Sequence, residues 1–451
     1  MNKFEKKLLT IFFIEVFVGG GGRLIDFGIL SIRQVLFLLL ILVFIIRIIK
    51  EKAFFNKEIN TFIRINPVTI GVYLLIGWFV VSSLIGVLYG HPLGAIVTDF
   101  LRVSYFVVYF PLAYYISKER FSLQRIITLL KYSALGVALF TIVISLLGKT
   151  VFVGADFKPY YDLLNRIFTG DLFFRPSNSV FYKSHFFVLI GLVIAINDLF
   201  NKSKSKLSIA LVIFCSVSVL WSETRGFLLA FMLSVFMIIV LDVKVLVDPI
   251  KGVVSKLQKL MNHKQFIKKF TILIVVVVAV PFLYKYMTLE RFEVVKTDPA
   301  ANVQKNEEIR EQETEINDIS VNHRLEFITA SRDILVHPAN LIIGTGYGTE
   351  VAGRINGLEM SFLDILVEQG LIGFAIWAYL FLIVYFNYYS AYKKGHKLSG
   401  LEISLLSAFM GVLLLTNINP FINNPIGISF FLILLIVSQQ KKDSIKNEVV
   451  K

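Results

Sequence analysis

Apolar residues fill this chain in long uninterrupted blocks, and polar or basic residues gather in the gaps between them. A bilayer-crossing helix needs about 20 apolar residues, because each rises about 1.5 Å against roughly 30 Å of hydrocarbon. Measured that way, the blocks predict spans near 8–22, 28–49, 67–89, 95–117, 124–147, 183–200, 206–221, 225–241, 270–287, 361–386, 399–417 and 425–439. The expected fold class is an all-α polytopic membrane protein of about twelve transmembrane helices, with a large extracytoplasmic loop between spans nine and ten. This reading divides the chain into 1–287 (nine spans), 288–360 (the loop) and 361–451 (three spans and a cytoplasmic tail).

The basic gaps set the orientation. Lys50, Lys52, Lys57 and Arg64 follow the second span, and Lys118, Arg120 and Arg125 the fourth. Lys202, Lys204 and Lys206 follow the sixth, a dense cluster from Lys251 to Lys269 the eighth, and Lys393, Lys394 and Lys397 the tenth. Cytoplasmic loops carry the excess of Lys and Arg, so the even gaps and both termini are expected in the cytoplasm. The odd gaps then face outward, and two of them are long: 148–182, rich in aromatic residues, and 288–360, whose stretch 299–317 has almost nothing to bury.

Composition agrees. Of the 451 residues 56% are hydrophobic, above the roughly 45–50% of soluble domains, and the mean hydropathy is +0.72. The net charge of +14 belongs to membrane orientation and not to nucleic-acid binding, since the cations occupy alternate loops. The single cysteine, Cys215, lies inside an apolar block, which excludes disulfides within the chain and cysteine-rich metal sites. The basic start and apolar core of the N-terminus run into Gly19–Gly22 without a small-x-small cleavage pattern, as expected of an uncleaved first span.

Candidate chemistry concentrates in two places. Trp221-Ser222-Glu223-Thr224-Arg225-Gly226 separates two apolar blocks with almost no loop and so holds Arg225 at the outer membrane edge. There its planar fork of donors suits a pyrophosphate, or else it snorkels to the headgroups beside Glu223. From Asn322 to Phe374 a charged, helix-like segment passes through the glycine-rich turn Gly344–Gly348 into a membrane helix. Glu359 follows the Asn356-Gly357 turn just ahead of that helix, where a partly desolvated carboxylate suits a general base and a carboxylate also suits a helix N-terminus. Ser361, Asp364 and Glu368 form one polar stripe on the helix itself, expected to face the bundle interior or a wet cavity. Asp99 and Arg102, three apart, are expected to form an internal ion pair. Thr345-Gly346-Tyr347-Gly348 imitates a potassium filter and a dinucleotide turn, but its context fits neither and it is expected to be a flexible turn at the site entrance.

These motifs resemble the membrane-embedded O-antigen polymerase and O-antigen ligase family of glycosyltransferases. The likeness rests on Ser222-x-x-Arg225-Gly226, on Arg324, on Pro338 with Gly344 and Gly346, on Glu359, and on Glu368-x-Gly370-Leu371-Ile372-Gly373. Ligases of the family carry His-Asn where this chain has Met360-Ser361, so the resemblance favours a polymerase. It implies transfer of glycan from an undecaprenyl-diphosphate-linked donor at the outer face of a bacterial inner membrane, with no metal and no cofactor. It further implies Glu359 as catalytic base, and Arg225, Arg324, Arg175, Arg354 and Asp364 as substrate-binding residues for diphosphate or sugar. Implied partners are the lipid-linked glycan, membrane lipid, a chain-length regulator and a flippase. The alternatives are an O-antigen ligase acting on lipid A core and, in another class, a polysaccharide-unit flippase or other secondary transporter.

Overall fold

The structure is a computed structural model that describes residues 1–22, 31–53, 65–117, 120–153, 157–168, 171–175, 177–201, 205–242 and 319–449. The predicted ninth span at 270–287, the basic cluster from Lys251 to Lys269 and the first part of the predicted loop, 288–318, lie outside these residues.

Helices dominate. In chain order they begin with α1 (Lys3–Val18), α2 (Ile32–Lys50) and α3 (Pro67–Leu88). Next, α4 (Leu93–Ser104) runs through a 3-10 turn into α5 (Tyr109–Ser117), followed by α6 (Leu123–Thr150) and α7 (Phe157–Phe168). After a short hairpin come α8 (His185–Phe200), α9 (Lys206–Trp221), α10 (Arg225–Asp242), α11 (Ile319–Leu335), α12 (Pro338–Ile343), α13 (Ser361–Lys393), α14 (Gly400–Leu415) and α15 (Pro425–Val449). Among the described residues six helical stretches are long and apolar enough to cross a membrane: α2, α3, α4 with α5, α6, α10 and α13. The shorter apolar helices α8, α9 and α14 also coincide with predicted spans.

Local chemistry sets several helix starts. Ser31 and Gln34 make reciprocal capping bonds at α2, Asn66 and Thr69 do so at α3 with Pro67 in the first turn, and Ser399 and Glu402 at α14. Each satisfies backbone N–H groups that a helix leaves unpaired, which matters most beside lipid. α8 is buried on nearly every side between α6, α9 and α14, as an apolar-all-round helix should be.

Strictly all-α is corrected in one place. Leu172–Phe174 (β1) and Val180–Tyr182 (β2) pair antiparallel, Phe173 opposite Phe181. Bulky aromatic and β-branched residues on both arms favour cross-strand packing over another helical turn. Phe174 stacks edge-on against Phe157 of α7, which fastens the hairpin to its neighbour.

The element that organises the site is α13. It is continuous except at Gly370, whose φ of 64° and ψ of −172° break the helical path. The carbonyls freed by the break are taken up at once. Thr345 N–H donates to Val367 O at 2.9 Å, Gly346 N–H to Glu368 O at 3.0 Å, and Trp78 Nε1 of α3 to Gln369 O at 2.9 Å. The turn is therefore a wedge, not the flexible loop expected from its glycines: residues 344–348 are buried, and a side chain on Gly346 would lie 2.1 Å from the backbone of Gly86 in α3. The two glycine motifs, far apart in their sequence signatures, complete each other's hydrogen bonding.

Candidate active site

A cavity of about 660 Å³ lies at the end of the bundle where α1, α9 and α14 finish and α2, α10 and α15 begin. Its walls bring together the predicted Arg175, Arg225, Arg324, Arg354 and Glu359, which are separated by up to 184 residues in the chain (175 to 359). Arg33, Arg102 and Lys183 also line it, so among the described residues cations far outnumber the acids Glu223 and Glu359.

Arg225 opens α10, half-buried, immediately after the tight Ser222–Thr224 turn. Arg175 buttresses that turn from the hairpin: its Nε donates to Ser222 O at 3.1 Å and its Nη2 to Thr224 Oγ1 at 2.8 Å, with the guanidinium over the Phe181 ring. Glu223 is held by the hydroxyls of Ser177 and Ser179, the latter at 2.8 Å. The aromatic hairpin segment thus fixes the Arg225 turn in place, which its sequence as a cation-bearing loop did not disclose.

Opposite, Glu359 pairs with two guanidiniums, Arg354 at 3.3 Å and Arg324 at 4.0 Å. Its side chain is 38% exposed, so the expected partial desolvation is small, and the carboxylate sits at the open side of the site. Arg324 also donates to Ile418 O at 3.4 Å, and its buried Nε has no hydrogen-bond partner among the described residues. Arg354 lies over the Phe327 ring. This leaves a guanidinium edge of Arg324 available to an anionic ligand.

Asp364 does not line the cavity. It is 2% exposed and braces the wall from behind, accepting from Leu358 N at 3.0 Å and from Asn423 Nδ2 at 2.6 Å. The reason is charge: Arg102 Nη2 lies 3.2 Å from Asp364, 3.2 Å from Glu368 and 3.2 Å from Asp99. The expected Asp99–Arg102 pair is thus one edge of a buried four-membered cluster, and the polar stripe of α13 does face the interior. Further donors reach the acids, with Gly348 N–H on Asp99 at 3.0 Å. Burial beside Glu368 pushes the Tyr347 phenol well above its usual range, so it stays protonated beside the cluster.

Arg33 and Lys183 are functional candidates that the sequence reading did not select. Arg33 falls inside the predicted span 28–49, and the packing of the Gly19–Gly22 turn against it brings it to the cavity. Asn423, which ties Asp364 to Ser361, carried no signal because its partners lie on another helix.

The described geometry coincides with an end-to-end sequence similarity. The chain is 26% identical to the O-antigen polymerase of Shigella flexneri over 438 residues, covering 95% of this chain and 93% of that one. The chain is similar to that O-antigen polymerase along nearly its whole length. No protein-family profile matches the chain. The similarity runs along nearly the whole of both chains.

Proposed function

We propose that this chain is a glycosyltransferase that polymerises lipid-diphosphate-linked oligosaccharide repeat units, the O-antigen chemistry named for its Shigella relative. The observation that carries this reading is the convergence of Arg175, Arg225, Arg324, Arg354 and Glu359 on one cavity. In the reaction, a hydroxyl at the non-reducing end of one repeat unit attacks the anomeric carbon of the growing chain. The bond from that carbon to the diphosphate oxygen breaks, and the lipid diphosphate departs with the electron pair. The hydroxyl proton passes to Glu359.

A diphosphate is already a capable leaving group, so the protein's main contribution is to neutralise the charge it gains. Arg225 and Arg324 supply planar forks for that purpose, while Arg175 holds the Arg225 turn and Arg354 aligns Glu359. Asp364, through Leu358 N–H, positions the segment that presents Glu359. The donor in this reading is undecaprenyl-diphosphate-linked glycan, the cavity opens to the outer face of the inner membrane, and both termini are cytoplasmic. The basic even gaps support that orientation.

The test is incubation of the purified full-length protein with lipid-linked repeat units. The expected product is a ladder of polymers with one lipid diphosphate released per new bond. Repeat units recovered intact from a folded, lipid-loaded sample would refute the reading.

A further inference from the structure

This inference rests on the proposed polymerisation. Joining two lipid-linked glycans requires the protein to hold two lipid diphosphates at once, one that leaves and one that remains on the acceptor. The leaving group has Arg225 and Arg324. The structure offers a second pair of cations in the wall of the same cavity, Arg33 and Lys183, each backed by a carboxylate, Glu15 and Asp171, that does not line it.

Arg33 is 4% exposed. Its Nε lies 3.0 Å and 3.1 Å from the Glu15 carboxylate oxygens and its Nη2 donates to Glu15 O at 3.5 Å, yet its buried Nη1 has no hydrogen-bond partner among the described residues. A buried donor without a partner is costly, and an anionic oxygen in the cavity satisfies it. Lys183, 2.7 Å from Asp171, stands close by, since Asp171 also accepts from the N–H of Gly21.

Next to this corner an apolar groove of about 470 Å³ runs between α1 and α6, lined by Ile14, Val18, Tyr132, Gly136, Phe140 and Tyr182 among others. Along α6 it extends from Leu129 to Phe140, a rise of about 16 Å, roughly half the hydrocarbon thickness. The Gly20–Gly22 turn lies between groove and cavity corner, beside Tyr182, whose phenol donates to Val18 O at 2.7 Å. A Cβ on Gly20 would lie 2.9 Å from the Tyr182 phenol oxygen on the groove side, and one on Gly22 2.9 Å from Arg33 Nε on the cavity side. Both glycines have positive φ, 55° and 90°, so side chains are disfavoured there on conformational grounds as well.

We propose that the α1/α6 groove and the Arg33–Lys183 corner form a second lipid-diphosphate subsite, which holds the acceptor by its polyisoprenyl tail and its retained diphosphate. The groove supplies an apolar channel and the corner a cation at its end, spaced by a turn without side chains. An ordinary phospholipid would use the groove but has no diphosphate for Arg33.

Gly136→Phe tests this. A Cβ built on Gly136 meets nothing within 4 Å, and replacing a mid-helix glycine favours the helix, so the variant fills the groove without threatening the fold. Native mass spectrometry of the full-length protein with excess polyisoprenyl diphosphate should show two bound molecules in the parent and one in the variant, with phosphatidylglycerol failing to displace either. In polymerisation at saturating growing chain, the variant's KM for the repeat unit should rise about tenfold with kcat kept. Equal loading of parent and variant, or displacement of the second molecule by phosphatidylglycerol, would overturn the subsite. A parent that binds one diphosphate lipid and still polymerises would overturn it too while leaving the reaction intact; a parent that binds none and makes no polymer would bring down the proposed reaction itself.

Discussion

Arg225 and Glu359 are the residues on which the proposed chemistry can be tested one side chain at a time. Arg225→Lys keeps the charge but replaces a planar two-pronged donor with a point charge, so it should leave folding and membrane insertion intact while removing most polymerisation. Polymer of parental length from cells carrying it would dismiss Arg225 as the diphosphate anchor. Glu359→Gln keeps shape and hydrogen bonding but cannot take a proton, so single-turnover rates with saturating lipid-linked repeat unit should drop by about 10²–10⁴. If the carboxylate only pairs Arg324 and Arg354, rates should stay within a few-fold of the parent. Arg225 was legible because charge at a membrane boundary is unusual in a chain this apolar, whereas Arg175, Arg324 and Arg354 were named by the family resemblance. The distinction between Glu359 in the cavity and Asp364 behind it was not, because five residues along a turn and a helix say nothing about which carboxylate a distant Arg102 claims.

α13 shows why the glycine motifs take their form. Gly370 breaks the helix, and a side chain there would come within 2.4 Å of Ile342 O and Gly344 N. Gly370→Ala must therefore push the wedge away as well as adopt a positive φ, at a cost of at least about 1–3 kcal/mol. Thermal unfolding in detergent should record a clearly lower transition, and a melting curve superimposable on the parent's would mean that the wedge is not held by this contact. Helices of this kind were readable from the lengths of apolar runs alone. The break was not, since a single glycine within a membrane helix is ordinary, and its meaning depends on the carbonyl acceptors that Thr345, Gly346 and Trp78 find there. The β1–β2 hairpin was hidden for a similar reason: three-residue strands are too short to show a period.

For the whole molecule, the proposed orientation makes a direct claim about the cavity's side of the membrane. Glu350 is exposed near the Arg354–Glu359 wall, and the natural Cys215 is buried. In intact cells with a permeabilised outer membrane, Glu350→Cys should react with an impermeant thiol reagent. Labelling that requires lysis of the inner membrane would reverse the topology and, with it, the reaction's location.

Apolar run length and the alternation of basic gaps were sufficient to specify a helical membrane protein, because lipid imposes its demands on each segment separately, while most of the arginines at the cavity were named by the motifs that resemble a known family. The cavity itself is a property of packing. Arg33 meets Lys183 through Asp171 and a glycine turn, Arg175 reaches Arg225 through the backbone of Ser222, and Asp364 reaches Arg102 across two helices. Each of these joins segments tens to hundreds of residues apart, and a buried charge's partner is settled by which helices lie side by side, not by its neighbours in the chain.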